Sequence, residues 1–154
     1  MRTLHVLALL GVLSPSGFGQ SHVTPDFDMK NEKEIARERA ILPYIEKARA
    51  TYPAAKKRFL AGLPPGHMFA VMIRLRHIDK AKKEVTVNDV FVRVQAIKND
   101  KVYGRLDPVF IAGYKEGDPI SFPESEIINW VIVRPDGSEE GNYVGKFMDH
   151  YKPK

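Results

Sequence analysis

Apolar residues recur along this chain with two different periods. Between Asn31 and Leu60 the spacing is helical. Ile41, Ile45, Ala48, Tyr52, Ala55 and Phe59 fall alternately four and three residues apart, which lines them along one face, with Glu46, Lys47, Arg49, Lys56 and Lys57 elsewhere. Asn31 followed by Glu34 offers a capping box at the start. Pro43 and Pro53 each remove a backbone donor, so breaks are expected near both: a first helix over 31–51 and a restart from 53. Ala61-Gly62-Leu63-Pro64-Pro65-Gly66 ends the helical region.

From Met68 the period becomes two. Met68 to Arg76 and Glu84 to Ile97 read as two long strands around a charged turn. In the second, the valines change phase at Asn88-Asp89, which predicts a β-bulge or corner there. Lys98-Asn99-Asp100-Lys101 is a hairpin turn leading to a third strand over 102–106. Val109 to Gly113 reads as a short apolar connection, and Lys115-Glu116-Gly117-Asp118 as a tight turn. Pro119 to Phe122 is a fourth strand, expected to be short or at an edge because its proline cannot donate to the ladder. Ile127 to Arg134 is a fifth, apolar on both faces and therefore expected to be covered on both. Tyr143 to Met148 reads as a sixth strand or terminal turn, and residues 149–154 are expected to fray.

The implied class is α+β: an N-terminal helical arm packed on a bent antiparallel sheet, or on a small SH3-like or OB-like barrel of five to six strands. Residues 31–148 form one domain of ordinary size.

Ahead of it, residues 1–19 carry Arg2, an apolar run from Leu4 to Leu13, a Ser-Pro-Ser break, and small residues at Gly17 and Gly19. That is the pattern of a secretory signal peptide, too short for the ~20 residues a bilayer span needs. Residues 20–30 read as a flexible linker. The expected location is the periplasm or the outside of a bacterial cell, with no transmembrane segment after cleavage. The chain has no Cys, which excludes disulfides, thiol catalysis and a Cys-linked lipid. The formal charge of +5 is dispersed among 19 acids rather than clustered, which argues against nucleic acid as a partner. Monomer is the default state.

Several motifs, taken in order, resemble the bacterial domain-of-unknown-function 2314 family. They are Ala48-Arg49-x-x-Tyr52-Pro53, Phe69 to Arg76, Val87-Asn88-Asp89-Val90, Gly104-x-Leu106 with Pro108, Lys115-x-Gly117-Asp118-x-Ile120-x-Phe122, Ile127-x-Asn129-Trp130 and Gly141-Asn142-Tyr143. Asn129 stands where the family usually has Asp, and Asn142 where it has a second Gly. Lys83-Glu84-Val85-Thr86 replaces its Glu-His-x-Trp set. The resemblance implies a fold and no activity.

No catalytic, metal or cofactor constellation emerges from the residues. His22, His67, His77 and His150 form no pair at metal-ligand spacing. Ser121 and Ser125 lack a nucleophile-elbow context. Asp107, Glu116, Asp118, Glu124 and Glu126 crowd the 107–126 region, where carboxylates serve either acid–base work or turn formation. Trp130 is either a core aromatic or a half-exposed platform, and its strand favours core. The reading that follows is non-catalytic binding of a protein or envelope partner through the 107–126 edge. Its contact residues are Arg105, Asp107, Asp118, Glu126 and Tyr143. The alternatives are a hydrolase of envelope material using the loop carboxylates, and an anionic-surface binder using Lys56-Lys57-Arg58.

Overall fold

The structure, a computed structural model, describes residues 32–108 and 113–152. The leader, the linker, the Asn31 cap and most of the 109–113 connection lie outside the described residues.

The N-terminal arm is one helix, α1 (Glu32–Ala61), with Pro43 and Pro53 inside it. The expected breaks are absent. Both prolines sit on the exposed side, so the carbonyls they leave unpaired can bond water. The opposite face buries Ile41, Ile45, Ala48, Tyr52 and Ala55, the stripe read from the spacing. Packing along that whole stripe outweighs the two missing bonds.

Six antiparallel strands follow: β1 (Met68–Asp79), β2 (Glu84–Lys98), β3 (Lys101–Leu106), β4 (Pro119–Pro123), β5 (Asn129–Val133) and β6 (Glu139–Gly141). Their order is β4-β3-β2-β1-β5-β6, an open sheet not closed into a barrel. A 3-10 turn covers Glu124–Glu126, and a short helix, α2 (Tyr143–Met148), takes the place of the sixth strand expected over 143–148. Residues 149–151, expected to fray, stay bonded to the end of α2: the amides of Asp149, His150 and Tyr151 donate to the carbonyls of Gly145, Phe147 and Met148.

The bulge lies elsewhere than expected. β1 and β2 stay in register from Asp79↔Glu84 to Ala70↔Arg93, straight through Asn88-Asp89. The valine phase change there has another cause. Val85 and Val87 are half-exposed, on the face opposite Val90 and Val92, where β2 has run beyond β3. The register shifts between Val94 and Ala96, opposite β3. Beside it, Gly104 lets the strands close up: a Cβ at that position would lie 2.3 Å from the Arg93 carbonyl oxygen. At the other end of this hairpin, Asn99 and Asp100 take φ of 51° and 57°, the left-handed pair that a tight two-residue turn needs.

One core cluster joins Ala48, Tyr52 and Ala55 of α1 to Phe69, Val71, Ile73, Val92, Val102, Leu106, Phe122, Trp130 and Ile132. A second joins Ile41 and Ile45 to Met72, Ile128 and Val144. Successive β1 residues point to opposite faces. The helix therefore meets one face of the sheet with its C-terminal half, and Met72, of the other parity, with its N-terminal half.

Both sheet edges are blunted, by different means. Backbone bonds at Leu106–Asp118 and Asp100–Glu124 flank the β3–β4 ladder and set which residues face inward. By alternation, Ile120 and Phe122 turn their backbone groups to β3, while Pro119, Ser121 and Pro123 turn outward. Two of those three outward residues have no N–H to offer. On the β6 side, Glu140 is bonded toward β5, and the outward carbonyls belong to Glu139 and Gly141. The Lys146 ammonium donates to both, at 3.3 and 2.9 Å.

Two outcomes are expected. Gly104→Ala should lower unfolding stability by about 2 kcal/mol, because the methyl meets backbone rather than a side chain that can swing away; an unshifted urea midpoint would show that β2 can yield. Replacing Pro119 and Pro123 together by Thr should add outward donors and produce dimers or larger species by size-exclusion chromatography with light scattering. A variant that stays monomeric at high concentration would mean the prolines are not what keeps this edge unpaired.

Candidate functional site

Trp130 is the point where the elements meet. It is 3% exposed. Its indole Nε1 donates to the Ala48 carbonyl of α1 at 3.1 Å and to Thr51 Oγ1 at 3.0 Å. The ring needs Gly141 beside it: a Cβ there, already strained at φ +79°, would lie 2.7 Å from the ring carbons. Trp130 is core, and its polar edge is spent on the helix.

A second clamp holds α1 to the turn before β5. The Tyr52 hydroxyl donates to Glu124 Oε2 at 2.7 Å, the Lys56 ammonium donates to Oε1 at 2.6 Å, and Arg49 Nε donates to the Ile127 carbonyl at 3.0 Å. Burial, then the bond and charge of Glu124, raise the Tyr52 phenol above its ordinary value, so it remains a donor. Glu124, a candidate acid from the sequence, is consumed here.

The remaining candidates fall in three separate places. Arg105, Asp107 and Asp118 gather at the corner after β3, each committed to local structure. Arg105 Nη1 donates to the Gly117 carbonyl at 2.8 Å, and Arg93 Nε donates to Asp107 Oδ1 at 2.5 Å. Asp118 Oδ2 accepts the Lys115 amide at 2.8 Å, closing the 115–118 turn. Glu126 is exposed in the 3-10 turn. Tyr143 begins α2, edge-on to Trp130 at 6.0 Å between centroids.

Tyr143 also lines a surface groove that the sequence did not disclose. It lies between α1 and α2 and has a volume of about 330 Å³, with Tyr44, Lys47, Tyr143, Lys146, Phe147 and His150 around it. Tyr44 stacks on Phe147 at 4.3 Å and 22°, and Tyr151 packs on Phe147 at 5.3 Å, tilted by 42°. Lys47 Nζ stands 4.8 Å above the centre of the Tyr143 ring. His150 Nδ1 donates to the Lys146 carbonyl at 2.9 Å, which turns Nε2 away from that bond. The signal was present in the sequence as a period: 143, 146, 147 and 150 are spaced for one face of a helix. Reading this segment as a strand hid it.

Two of the three departures from the family motif, Asn129 and Asn142, touch each other. Asn129 Nδ2 donates to Asn142 Oδ1 at 2.9 Å, and Asn142 Nδ2 donates to Glu139 Oε2 at 2.7 Å. Asn129 is fully buried, and its Oδ1 accepts no hydrogen bond. Asn142 holds φ 50° at the start of α2, a conformation Asn tolerates better than most residues.

Residues 39–151 match the family described as "Uncharacterized protein conserved in bacteria (DUF2314)". The chain belongs to that family. The match takes in most of α1, the whole sheet and α2, so the α1–α2 groove lies inside the DUF2314 region. No curated protein and no solved structure matches the chain. Among the described residues, no helix is long and apolar enough to cross a membrane, and no group of three or more His, Asp or Glu side chains is placed to hold a metal.

One acid–base consequence follows. Glu140 bridges Arg58 of α1 and Arg134, the latter at 3.3 Å. The bond from Arg58 leads in holding its carboxyl below the ordinary glutamate value. A depressed folded value contributes stability above the ordinary value, and that stability is lost as pH falls through the folded one. Glu140→Gln should therefore flatten the acid limb of the stability–pH profile below about pH 4.5. An unchanged limb would show that solvent screens the pair completely.

Proposed function

We propose that this DUF2314 protein is an exported, non-catalytic binding module that engages an envelope component through the groove between α1 and α2. One observation carries the choice of surface. The groove presents three aromatic rings and two ammonium groups, and among the described residues no carboxylate pairs with Lys47 or Lys146. At the 107–126 corner, by contrast, Arg105, Asp107 and Asp118 are engaged in holding turns, and β4 is blunted by its prolines. Tyr143 is the one residue of the expected contact set that lies in the groove.

The non-catalytic part of the reading draws support from the same geometry. Glu124 is bound by two donors, Asp107 is paired with an arginine, and Asp118 accepts a backbone amide. A catalytic acid needs a raised and available carboxyl. Export rests on the charged, apolar and small-residue order of residues 1–19.

Both parts are open to test. Protein recovered from bacteria that carry the full chain should begin at Gln20 by intact mass. A species retaining Met1 in the cytoplasmic fraction would end the export reading. Immobilised wild-type protein should retain an envelope component that Lys47→Glu releases. Retention indifferent to Lys47→Glu would remove the groove from consideration.

A further inference from the structure

The geometry points to a ligand class for this groove: a small organic anion whose charge sits directly beside a flat, apolar body, as in an aromatic carboxylate. This rests on the reading of the groove as the binding surface.

Two lysines supply the positive charge of the groove. Lys146 has three N–H donors, and two are used on the outward carbonyls of Glu139 and Gly141. The third is left over, on an ammonium whose position is set by backbone it cannot drag with it. Lys47 stands over the Tyr143 ring and donates no hydrogen bond among the described residues. The ring face draws the cation without satisfying its donors, so an anion arriving there gains bonds that water alone now supplies. His150 lines the same rim, its ring held by the bond from Nδ1 to the Lys146 carbonyl.

The apolar half of the ligand follows from the aromatic wall. Tyr44 and Phe147 are stacked nearly parallel, and the Phe147 ring also contacts Tyr151. A wall of rings already in contact loses little side-chain freedom when another flat group is laid against it. Phe147 and Tyr143 lie on one face of α2, one turn apart. α2 is itself held by the Asn142 amide bond to Trp130 and by Val144 in the core. The groove is thus assembled before any ligand arrives. Its volume of about 330 Å³ suits a molecule of a single ring rather than a long chain.

The charge balance speaks against the neutral and cationic alternatives. None of the six lining residues is an acid. A cation would meet two ammonium groups, and Glu140, the carboxylate that feels the charge of Lys146, is already bridged to Arg58 and Arg134. A bare inorganic anion would use the lysines and leave the rings idle.

The test is an amide-shift NMR titration of the full chain with benzoate, acetate and benzyl alcohol. Benzoate joins charge to ring, acetate has the charge alone, and benzyl alcohol has the ring alone. Saturable shifts confined to Lys47, Tyr143 and Phe147 and their neighbours are expected with benzoate, at least about tenfold tighter than with either control. Lys47→Gln is on the exposed side of α1 and leaves the fold intact, and it should weaken benzoate by about fivefold. Equal binding of acetate and benzoate would replace the inference with a generic anion patch. No saturation by benzoate, or saturation untouched by Lys47→Gln, would overturn it. The two readings fail separately: benzoate can fail while an envelope component is still released by Lys47→Glu. In that case the groove keeps its role and loses this ligand class.

Discussion

The indole of Trp130 is the contact on which the rest of the structure depends. Its N–H is bonded to α1 through Ala48 and Thr51, its ring meets that of Tyr143 of α2 nearly at right angles, and its backbone carbonyl accepts the Asn142 amide. Gly141 must be side-chain-free for this to happen. Three consecutive residues at the end of β6 and the start of α2, Gly141 to Tyr143, are therefore arranged around one ring. A buried indole donor left unmatched costs on the order of 1–3 kcal/mol, so the helix cannot slide along the sheet without losing that bond. The indole fixes the register between α1 and β5 from inside the apolar cluster and the Glu124 and Ile127 clamp fixes it from the rim, and the same docking decides where the α1–α2 groove forms.

Much of this fold was legible in the chain. The 4-3-4-3-4 spacing identified the buried stripe of α1 from Ile41 to Ala55, with Phe59 half-buried at its end, and β4, expected to be short or at an edge because of Pro119, is both. What was not legible has specific causes. Proline's cost is local, and the benefit of burying Ile41 through Ala55 on one continuous helix comes from residues far away in sequence. The valine phase change in β2 mimics a bulge because Val85 and Val87 are apolar without being buried. The true bulge, at Gln95, was hidden by Ala96, which prolongs the apparent alternation by one more step.

The site was harder to see than the fold. Turns, acids and prolines crowd the 107–126 region, and that density suggested contact residues. In the structure the same density is what turns are made of: Asp118 caps one, Arg105 braces its carbonyl, and Asp107 holds Arg93. The groove has the reverse character in sequence. Tyr44 and Lys47 lie just off the buried stripe of a long helix, and their partners lie about a hundred residues later in six residues of helix. No local pattern connects them. Only the docking of α2 beside α1, determined at Trp130 and Val144, brings the two sets together.

The two blunted sheet edges differ in permanence. On β4 the missing donors are a matter of covalent structure, and no change of conditions restores them. On β6 the outward carbonyls are merely occupied, by an ammonium carried on one turn of a short helix. The sheet thus has one border that is sealed and one that is latched. The latch is Lys146, the same side chain that lines the groove, so an occupant drawing that ammonium away would uncover the carbonyls of Glu139 and Gly141 in the same movement.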